Sequence, residues 1–477
     1  MTLDADACWR ALATHDARFD GRFYVGVSTT GIYCRPVCNV RTPRRENCRF
    51  FGSAAAAEAR GFRPCLRCRP ELAPGHAAID ASSRLAQGAV DLIESGVMDE
   101  GGAARLAERV GVSDRHLRRV FDAEFGVSPV EYAQTHRLLL AKRLLTDTSL
   151  PVTDVALASG FSSVRRFNAL FRERYRMAPV QLRRRAAGAS SDGLDFELAY
   201  RPPYDFDALL GFLRDRAVAG IESADETSYS RTLAIRRGAQ LHTGRVTVRH
   251  RARRRALAVR LSPSLARVVP AVLGKVRHAF DLAADPGEIG AALGSLASAS
   301  PGLRVPGTFD GFELAVRAIV GQQVSVKAAR TLLGRLVAAH GEPLDLPGAG
   351  PAKLFPAARA IAALPPAELA RIGLVAARAR AVHALAVAVD AGAVSLDPGA
   401  DVEAAMRSLV ALPGIGDWTA SYIAMRALRW PDAFPAGDLV VRRALGVTTA
   451  ARAEAKSAAW RPWRAYAVMH LWKGATT

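Results

Sequence analysis

Four cysteines stand in two close pairs, Cys34-x3-Cys38 and Cys65-x2-Cys68, with 26 residues between the pairs. Four thiolates at this spacing can complete a tetrahedral zinc site. Zinc suits a small segment with too little core to fold unaided. Cys8 and Cys48 lack a close-spaced partner and read as small buried residues. Far downstream, Leu412-Pro413-Gly414-Ile415-Gly416-Asp417-Trp418-Thr419-Ala420 sets a Pro-Gly-x-Gly turn before a helix. Backbone amides of such a hairpin face a phosphate at the helix N-terminus. Gly414, Gly416 and Thr419 are therefore expected to grip DNA without reading its sequence. About twenty residues on, Phe434-Pro435-Ala436-Gly437-Asp438-Leu439 supplies a carboxylate directly after a turn. By pattern alone, an aspartate there is more often an N-cap than a catalyst.

These residues sit in a chain of 477 residues with 65 Lys+Arg against 45 Asp+Glu, a net charge of +20. The length predicts three or four domains. Hydrophobic residues at 50% and charged residues at 23% fit folded material rather than disorder. The charge balance points to an acidic polymer as partner. Lysine occurs only at 142, 275, 327, 353, 456 and 473, so arginine carries the charge. Its planar fork suits phosphate, although a genome biased toward alanine and arginine explains the skew equally well. The start MTLDADACWR does not read as a secretory signal. No apolar run reaches about 18 residues, so no membrane partner is expected. All six cysteines fall within the first 68 residues, unlike a secreted disulfide scaffold. A reducing, cytoplasmic location is expected.

Composition breaks divide the chain. Pro70 to Gly75 closes the cysteine segment, and Arg183 to Gly193 reads as a linker. From about 194, alternating runs such as Arg245–Arg249 and Leu257–Leu261 predict strands. After Pro286-Gly287 nearly everything predicts helix. Between 80 and 187 two helix-turn-helix patterns follow in series. In the first, Gly111 allows the turn, Ser113 caps the next helix, and Leu117, Val120 and Phe121 face inward. That leaves Arg115, His116, Arg118 and Arg119 outside. In the second, Ser162 is the expected cap, Phe167, Leu170 and Phe171 are core, and Arg165, Arg166 and Asn168 can reach a groove.

Thr29-Thr30-Gly31-Ile32-Tyr33-Cys34-Arg35-Pro36-Val37-Cys38, Arg45-Glu46-Asn47 and Gly61-Phe62-Arg63-Pro64-Cys65-Leu66-Arg67-Cys68 resemble the N-terminal domain of the Ada DNA-repair proteins. The resemblance implies that Cys34 is at once a zinc ligand and the irreversible acceptor of a methyl group from a DNA methylphosphotriester. Cys38, Cys65 and Cys68 would complete the site, with Thr30, Arg41 and Arg63 against the DNA backbone. Asn39 stands where the family has an arginine. A four-thiolate zinc carries about −2 formal charge and about −1 once methylated, so repulsion from DNA falls and repair becomes a usable signal. The segment holds twelve arginines and no lysine. Ala156-Leu157-Ala158-Ser159-Gly160-Phe161-Ser162-Ser163, followed by Phe167 and Arg174-Tyr175-x-Met177-x-Pro179, resembles an AraC-type DNA-binding domain, with two recognition helices in successive major-groove faces.

Pro202-Pro203-Tyr204-Asp205, Arg304-Val305-Pro306-Gly307, Ala318-Ile319-Val320-Gly321-Gln322-Gln323-Val324-Ser325 and the hairpin are similar to AlkA-type 3-methyladenine DNA glycosylases. The resemblance implies that Asp438 is catalytic and that Trp418, Tyr422 and Trp472 form an aromatic cleft. Electron-rich faces favour a cationic alkylated base over a normal one, once that base has left the stack. Gln323 takes the position of the wedge that fills the vacated stack, and Gly437 leaves Asp438 without a neighbouring acid. Trp418 stands where strand-cutting relatives carry a Schiff-base lysine, so a monofunctional enzyme is expected. Hairpin carbonyls are expected to hold a monovalent cation, and no organic cofactor is expected. Trp460 and Trp463 read as structural.

The expected fold is multidomain and mainly α. Residues 1–73 form a small zinc α/β domain and 80–187 an AraC-type double helix-turn-helix. Residues 194–285 form an α/β domain with an antiparallel sheet, and 286–477 a helix-hairpin-helix glycosylase. The expected function is a regulator and repair enzyme for DNA alkylation damage, acting on alkylated and promoter double-stranded DNA. RNA polymerase is an expected partner, and a nucleoid-associated bacterial monomer is expected. The alternative is a transcriptional regulator whose glycosylase-like half is a non-catalytic DNA clamp. No Pro-Cys-His-Arg acceptor motif of a base-directed methyltransferase is present.

Overall fold

The computed structural model describes residues 4–75, 81–94, 96–185, 194–397 and 399–475. The cysteine-bearing segment contains α1 (Ala5–Ala13), β1 (Tyr24–Val27), β2 (Ile32–Cys34), β3 (Cys48–Phe51), α2 (Ala54–Ala59) and β4 (Arg63–Pro64). Its sheet runs β3-β1-β2-β4, with β2 and β4 parallel and the other pairs antiparallel. Cys34 ends β2 and Cys65 follows β4, so this one parallel pairing unites the two cysteine pairs. Cys8 and Cys48 are buried with Phe23 and Val25 in a separate apolar cluster.

The helical segment holds α3 (Ala81–Glu94), α4 (Val97–Arg109), α5 (Asp114–Phe125), α6 (Pro129–Asp147), α7 (Val152–Ala158), α8 (Val164–Tyr175) and α9 (Pro179–Arg185). Gly111 adopts φ +72 in the first turn, a region that penalises a β-carbon. Leu117, Phe121, Phe167 and Phe171 are fully buried, and Val120 and Leu170 pack at the edge of those cores. Ser113 caps α5 by accepting from the His116 amide. The cap of α8 is Ser163 and not Ser162: Ser163 directly precedes the helix and its side chain accepts from the Arg166 amide. Arg183 to Arg185, expected as linker, extend α9. The remainder of that expected linker, 186–193, lies outside the described residues.

The third segment has β5 (Leu194–Ala199), α10 (Phe206–Asp215), β6 (Glu222–Ala224), β7 (Ser228–Arg237), β8 (Gln240–Arg251), β9 (Ala256–Leu261) and α11 (Val269–Ala279). The sheet is antiparallel throughout, ordered β5-β9-β8-β7-β6. Alternate residues of β5, namely Leu194, Phe196 and Leu198, are buried, the period-2 pattern of a half-covered strand. The chain then continues through α12 (Pro286–Leu293), α13 (Ser295–Ser298), α14 (Gly311–Val320), α15 (Val326–His340), α16 (Ala358–Ala362), α17 (Pro366–Arg371) and α18 (Ala376–Asp390). It ends with α19 (Val402–Val410), α20 (Asp417–Arg426), α21 (Leu439–Ala444), α22 (Ala450–Ser457) and α23 (Arg464–Gly474). Leu314, Ile319, Val382 and Ile423 belong to one apolar cluster. A second joins Ile289 and Val305 to Met425, Trp463 and Met469. Among the described residues, no helix is long and apolar enough to cross a membrane.

The segments interlock. A single core cluster runs from Leu138 and Phe167 into Phe196, Val248 and Leu273, crossing from the helical segment into the five-stranded sheet. Arg143 lies 4.9 Å over the Phe196 ring. On the other side of α6, Lys142 donates to Glu71 Oε2 at 2.6 Å and to the Cys65 carbonyl at 3.4 Å. From α3, Glu94 pairs with Arg277 at 2.7 Å and Asp91 with Arg429.

Glu58 on α2 is buried between Tyr33, whose hydroxyl donates at 3.0 Å, and Thr135 of α6, which donates at 3.1 Å. Burial raises its carboxyl to about 7, against the opposing pull of Tyr33, Arg174 and Thr135. The folded chain therefore holds this proton more tightly than the unfolded chain. Its contribution is full below the ordinary value of 4.5 and is lost as pH rises through about 7. Glu58→Gln removes the titration. In denaturant unfolding of the full chain, E58Q should gain about 2–3 kcal/mol on the parent between about pH 5 and pH 8. Two stability profiles that run parallel over that range would contradict this.

Candidate metal centre and base-binding cleft

The four sulfurs of Cys34, Cys38, Cys65 and Cys68 lie within 4.8 Å of one another. Four sulfurs at about 2.3 Å from a central ion lie about 3.8 Å apart, so the set fits one tetrahedral zinc with little adjustment. The fit extends to the surroundings. Amide N–H groups of Arg67 and Cys68 donate to Cys65 Sγ at 3.4 and 3.5 Å, and that of Arg35 donates to Cys68 Sγ at 3.4 Å. Such donors support a thiolate cluster. Buried Arg35 braces the loop, pairing with Asp20 and donating to the Cys68 carbonyl at 3.2 Å. Cys38 and Cys65 hold Cys34 far above its ordinary range, while Cys34 and Cys38 pull Cys65 far below. The residues present accordingly support one zinc ion at this site.

Around the tetrad, Thr30 is exposed just after β1. Arg63 is the register partner of Ile32, two positions beyond Thr30, so both lie at one end of the sheet. Arg41 is exposed in the loop after Cys38. Arg115, Arg118 and Arg119 are exposed on α5, and Arg165 and Arg166 on α8; Asn168 is half-buried. Arg118 pairs with Asp114 at 2.8 Å, and Arg119 meets His116 Nδ1 at 3.0 Å.

The second site forms where α20, α21 and α23 converge. Asp438 is 9% exposed and caps α21: its Oδ1 accepts from the Val441 amide at 2.9 Å. The same carboxylate takes the indole N–H of Trp418 on Oδ2 at 2.8 Å and that of Trp472 on Oδ1 at 3.2 Å. The N-cap and catalytic readings thus fall on one group without conflict. Trp418 and Tyr422 are stacked one turn apart on α20, 5.5 Å between centroids at 13°. Trp472 lies 6.2 Å from Tyr422 at 43°. These three rings and Asp438 line a cavity of about 460 Å³ with Phe212, Arg216 and Arg426, enough for a flipped base, and among the described residues no lysine lines it. Trp463 is buried against Tyr466, as expected of a structural residue.

The hairpin joins α19 to α20. Gly414 takes φ +80, and a β-carbon there would meet Ala381 at 2.9 Å. Gly414 and Gly416 are exposed. Thr419 is not: it is 3% exposed, and its hydroxyl accepts from Gln322 Nε2 at 3.0 Å. Its side chain is turned inward, where it tethers the loop after α14, while Gly414 and Gly416 leave their backbone open to the surface. Gln322 Nε2 also donates to the Gly414 carbonyl at 2.9 Å, and Arg378 donates to the Gln322 carbonyl. Gln323 is exposed with φ +53 and does not line the cavity. Sequence reasoning passed over Gln322, Phe212 and Arg426. The spacing 418, 422, 426 on one helix face was the signal for Arg426.

Four family models match successive stretches of the chain. Residues 7–71 match the metal binding domain of Ada and 106–185 a helix-turn-helix domain. Residues 195–310 match the AlkA N-terminal domain, and 316–464 the HhH-GPD superfamily of base excision DNA repair proteins. The chain is 40% identical to the "probable bifunctional transcriptional activator/DNA repair enzyme AlkA" of Mycobacterium tuberculosis over 99% of this chain and 97% of that one. The chain belongs to this bifunctional activator/repair family. It is also 38% identical to DNA-3-methyladenine glycosylase 2 of Escherichia coli, over 58% of this chain and 96% of that one. A 3-methyladenine DNA glycosylase structure from Archaeoglobus fulgidus shares the fold of 59% of this chain at a TM-score of 0.50 and 20% identity, covering 98% of its own length.

Metal removal gives a regional test. Stripping zinc with a chelator should release hydrogen-exchange protection in β2, β4 and the two cysteine loops, while α20 and α23 keep theirs. Uniform loss of protection along the chain would contradict a local structural metal.

Proposed function

We propose that this protein senses and repairs methylation damage in DNA through two separate chemistries. In the first, Cys34 accepts the methyl group of a DNA methylphosphotriester. Bound zinc would keep Cys34 a thiolate at neutral pH. Cys34 Sγ attacks the methyl carbon, the carbon–oxygen bond breaks, and the phosphate leaves as a diester anion. The S-methylated site carries one negative charge less, which favours DNA binding. Thr30, Arg41 and Arg63 hold the backbone, and α5 and α8 carry Arg115, His116, Arg118, Arg119, Arg165, Arg166 and Asn168 to promoter DNA for activation.

In the second, the C-terminal half hydrolyses the N-glycosidic bond of alkylated purines of the 3-methyladenine class. The observation that carries this reading is Asp438 held by both indoles at the wall of the base-sized cavity. Three N–H donors occupy three of the roughly four lone-pair directions of the carboxylate. One direction on Oδ2 remains for the sugar or a water. This arrangement suits charge stabilisation of an oxocarbenium-like sugar better than full proton abstraction. Trp418, Tyr422 and Trp472 receive the flipped base, Gln323 fills the vacated stack, and the hairpin around Gly414 and Gly416 grips the backbone. With no lysine lining the cavity, the reaction ends at base release.

Asp438→Asn keeps the size of the side chain and removes its charge. Release of 3-methyladenine from alkylated duplex should fall at least about a hundred-fold, with duplex affinity little changed. Equal release from variant and parent would leave the glycosylase half a clamp. Separately, mass spectrometry after exposure to methylated DNA should find one stable methyl group on Cys34 and none on Cys8 or Cys48. A Cys34 that stays unmodified would make it a structural ligand only.

A further inference from the structure

We propose that Tyr422 and Arg426 form the electron-withdrawing end of the cleft, the Tyr422 hydroxyl donating a hydrogen bond to the departing base while Asp438 faces the sugar. This rests on the glycosylase reading above and adds a role beyond stacking.

Arg426 is 6% exposed, yet no carboxylate lies within ion-pair distance of it among the described residues. Its guanidinium is held by carbonyls instead: Nε donates to Pro306 O at 2.7 Å and Nη2 to Gly307 O at 3.1 Å. The remaining arm, Nη1, donates to the Tyr422 hydroxyl at 2.5 Å. It also lies 5.4 Å over the Tyr422 ring and 4.9 Å over Phe212. A buried cation without a counter-charge is costly, and its field is left for the cavity. The Tyr422 oxygen receives Arg426, so its own proton is free to be donated. Among the described residues no acceptor takes it, and Tyr422 lines the cavity. Burial would raise the phenol, but Arg426, Arg216 just after α10 and Arg317 of α14 outweigh burial and leave it below its ordinary value. The carboxylates nearby are committed elsewhere: Glu222 and Glu313 pair with Arg317 and Arg231, and Asp438 is held by the indoles.

The chemistry gives this end a purpose. The bond from C1′ to the base nitrogen breaks and both its electrons go to the base. C1′ then bonds the oxygen of water. A cationic base leaves neutral, and the water's proton goes to solvent. A neutral base leaves as an anion and takes up that proton. In both cases the base gains electron density in the transition state, where a fixed cation and an O–H donor stabilise it more than in the ground state. The donor counts most where negative charge develops outright. Arg426 acts through Tyr422 and is a positioning residue.

The test uses the full protein on duplexes carrying one 7-methylguanine, which is cationic, or one hypoxanthine, which is neutral. Tyr422→Phe keeps the ring and loses the hydroxyl. It should slow both releases, the neutral base at least about ten-fold more than the cationic one, mainly in kcat and little in KM. In the parent, release of hypoxanthine should fall at alkaline pH as Tyr422 loses its proton. That limb should be absent in Y422F and move to higher pH in Arg426→Gln. Equal slowing of both substrates by Y422F, or no slowing of either, overturns the proposal. A parent that releases 3-methyladenine but neither of these bases also overturns the proposal; if the parent releases no 3-methyladenine either, or D438N releases bases as well as the parent, the glycosylase reading itself has failed.

Discussion

Everything in the C-terminal half turns on how one carboxylate is kept in place. Asp438 is held in one orientation while sitting 9% exposed at the wall of an aromatic cavity. An unsatisfied buried charge is expensive, and three N–H donors offset that cost: the Val441 amide and the indoles of Trp418 and Trp472. The arrangement joins three elements that are distant in sequence. The helix begun by Asp438 supplies one donor, α20 the second and α23 the third. The walls of the cavity and the supports of the carboxylate are therefore the same two tryptophans. Moving either ring would change the cavity wall and the support of Asp438 together.

The zinc end is built on the same economy. Strand pairing of β2 with β4 places two cysteine pairs side by side, and backbone amides donate to their sulfurs. Glu58 and Lys142 then tie this small sheet to α6. Lys142 touches the carbonyl of Cys65, one of the four cysteines. The helix that joins the two helix-turn-helix units is thus one contact away from the metal site.

Much of this was legible in the sequence, and the exceptions follow a rule. The cysteine tetrad, the two turns, the hairpin and Asp438 are local patterns whose chemistry demands fixed spacing. Ser162 and Ser163 both satisfy a cap pattern, and only backbone placement decides in favour of Ser163. Thr419 sits inside a hairpin motif that speaks for backbone amides and says nothing of side-chain burial. Arg426 looks like one more arginine in an arginine-rich chain until the structure buries it with no carboxylate paired to it among the described residues. The ion pairs Glu94–Arg277 and Asp91–Arg429 join partners 183 and 338 residues apart, beyond the reach of any periodicity.

The apolar cluster that runs from Phe167 to Phe196 and Leu273 has a consequence for how the fusion is understood. Leu138, Phe196 and Leu273 are buried in this one cluster, which spans the point where the regulator ends and the enzyme begins. Severing the chain there would leave a greasy scar on both fragments, each then prone to clumping. Such a fusion is less a string of borrowed parts than a single casting, and neither part would be lifted out of it without first being resurfaced.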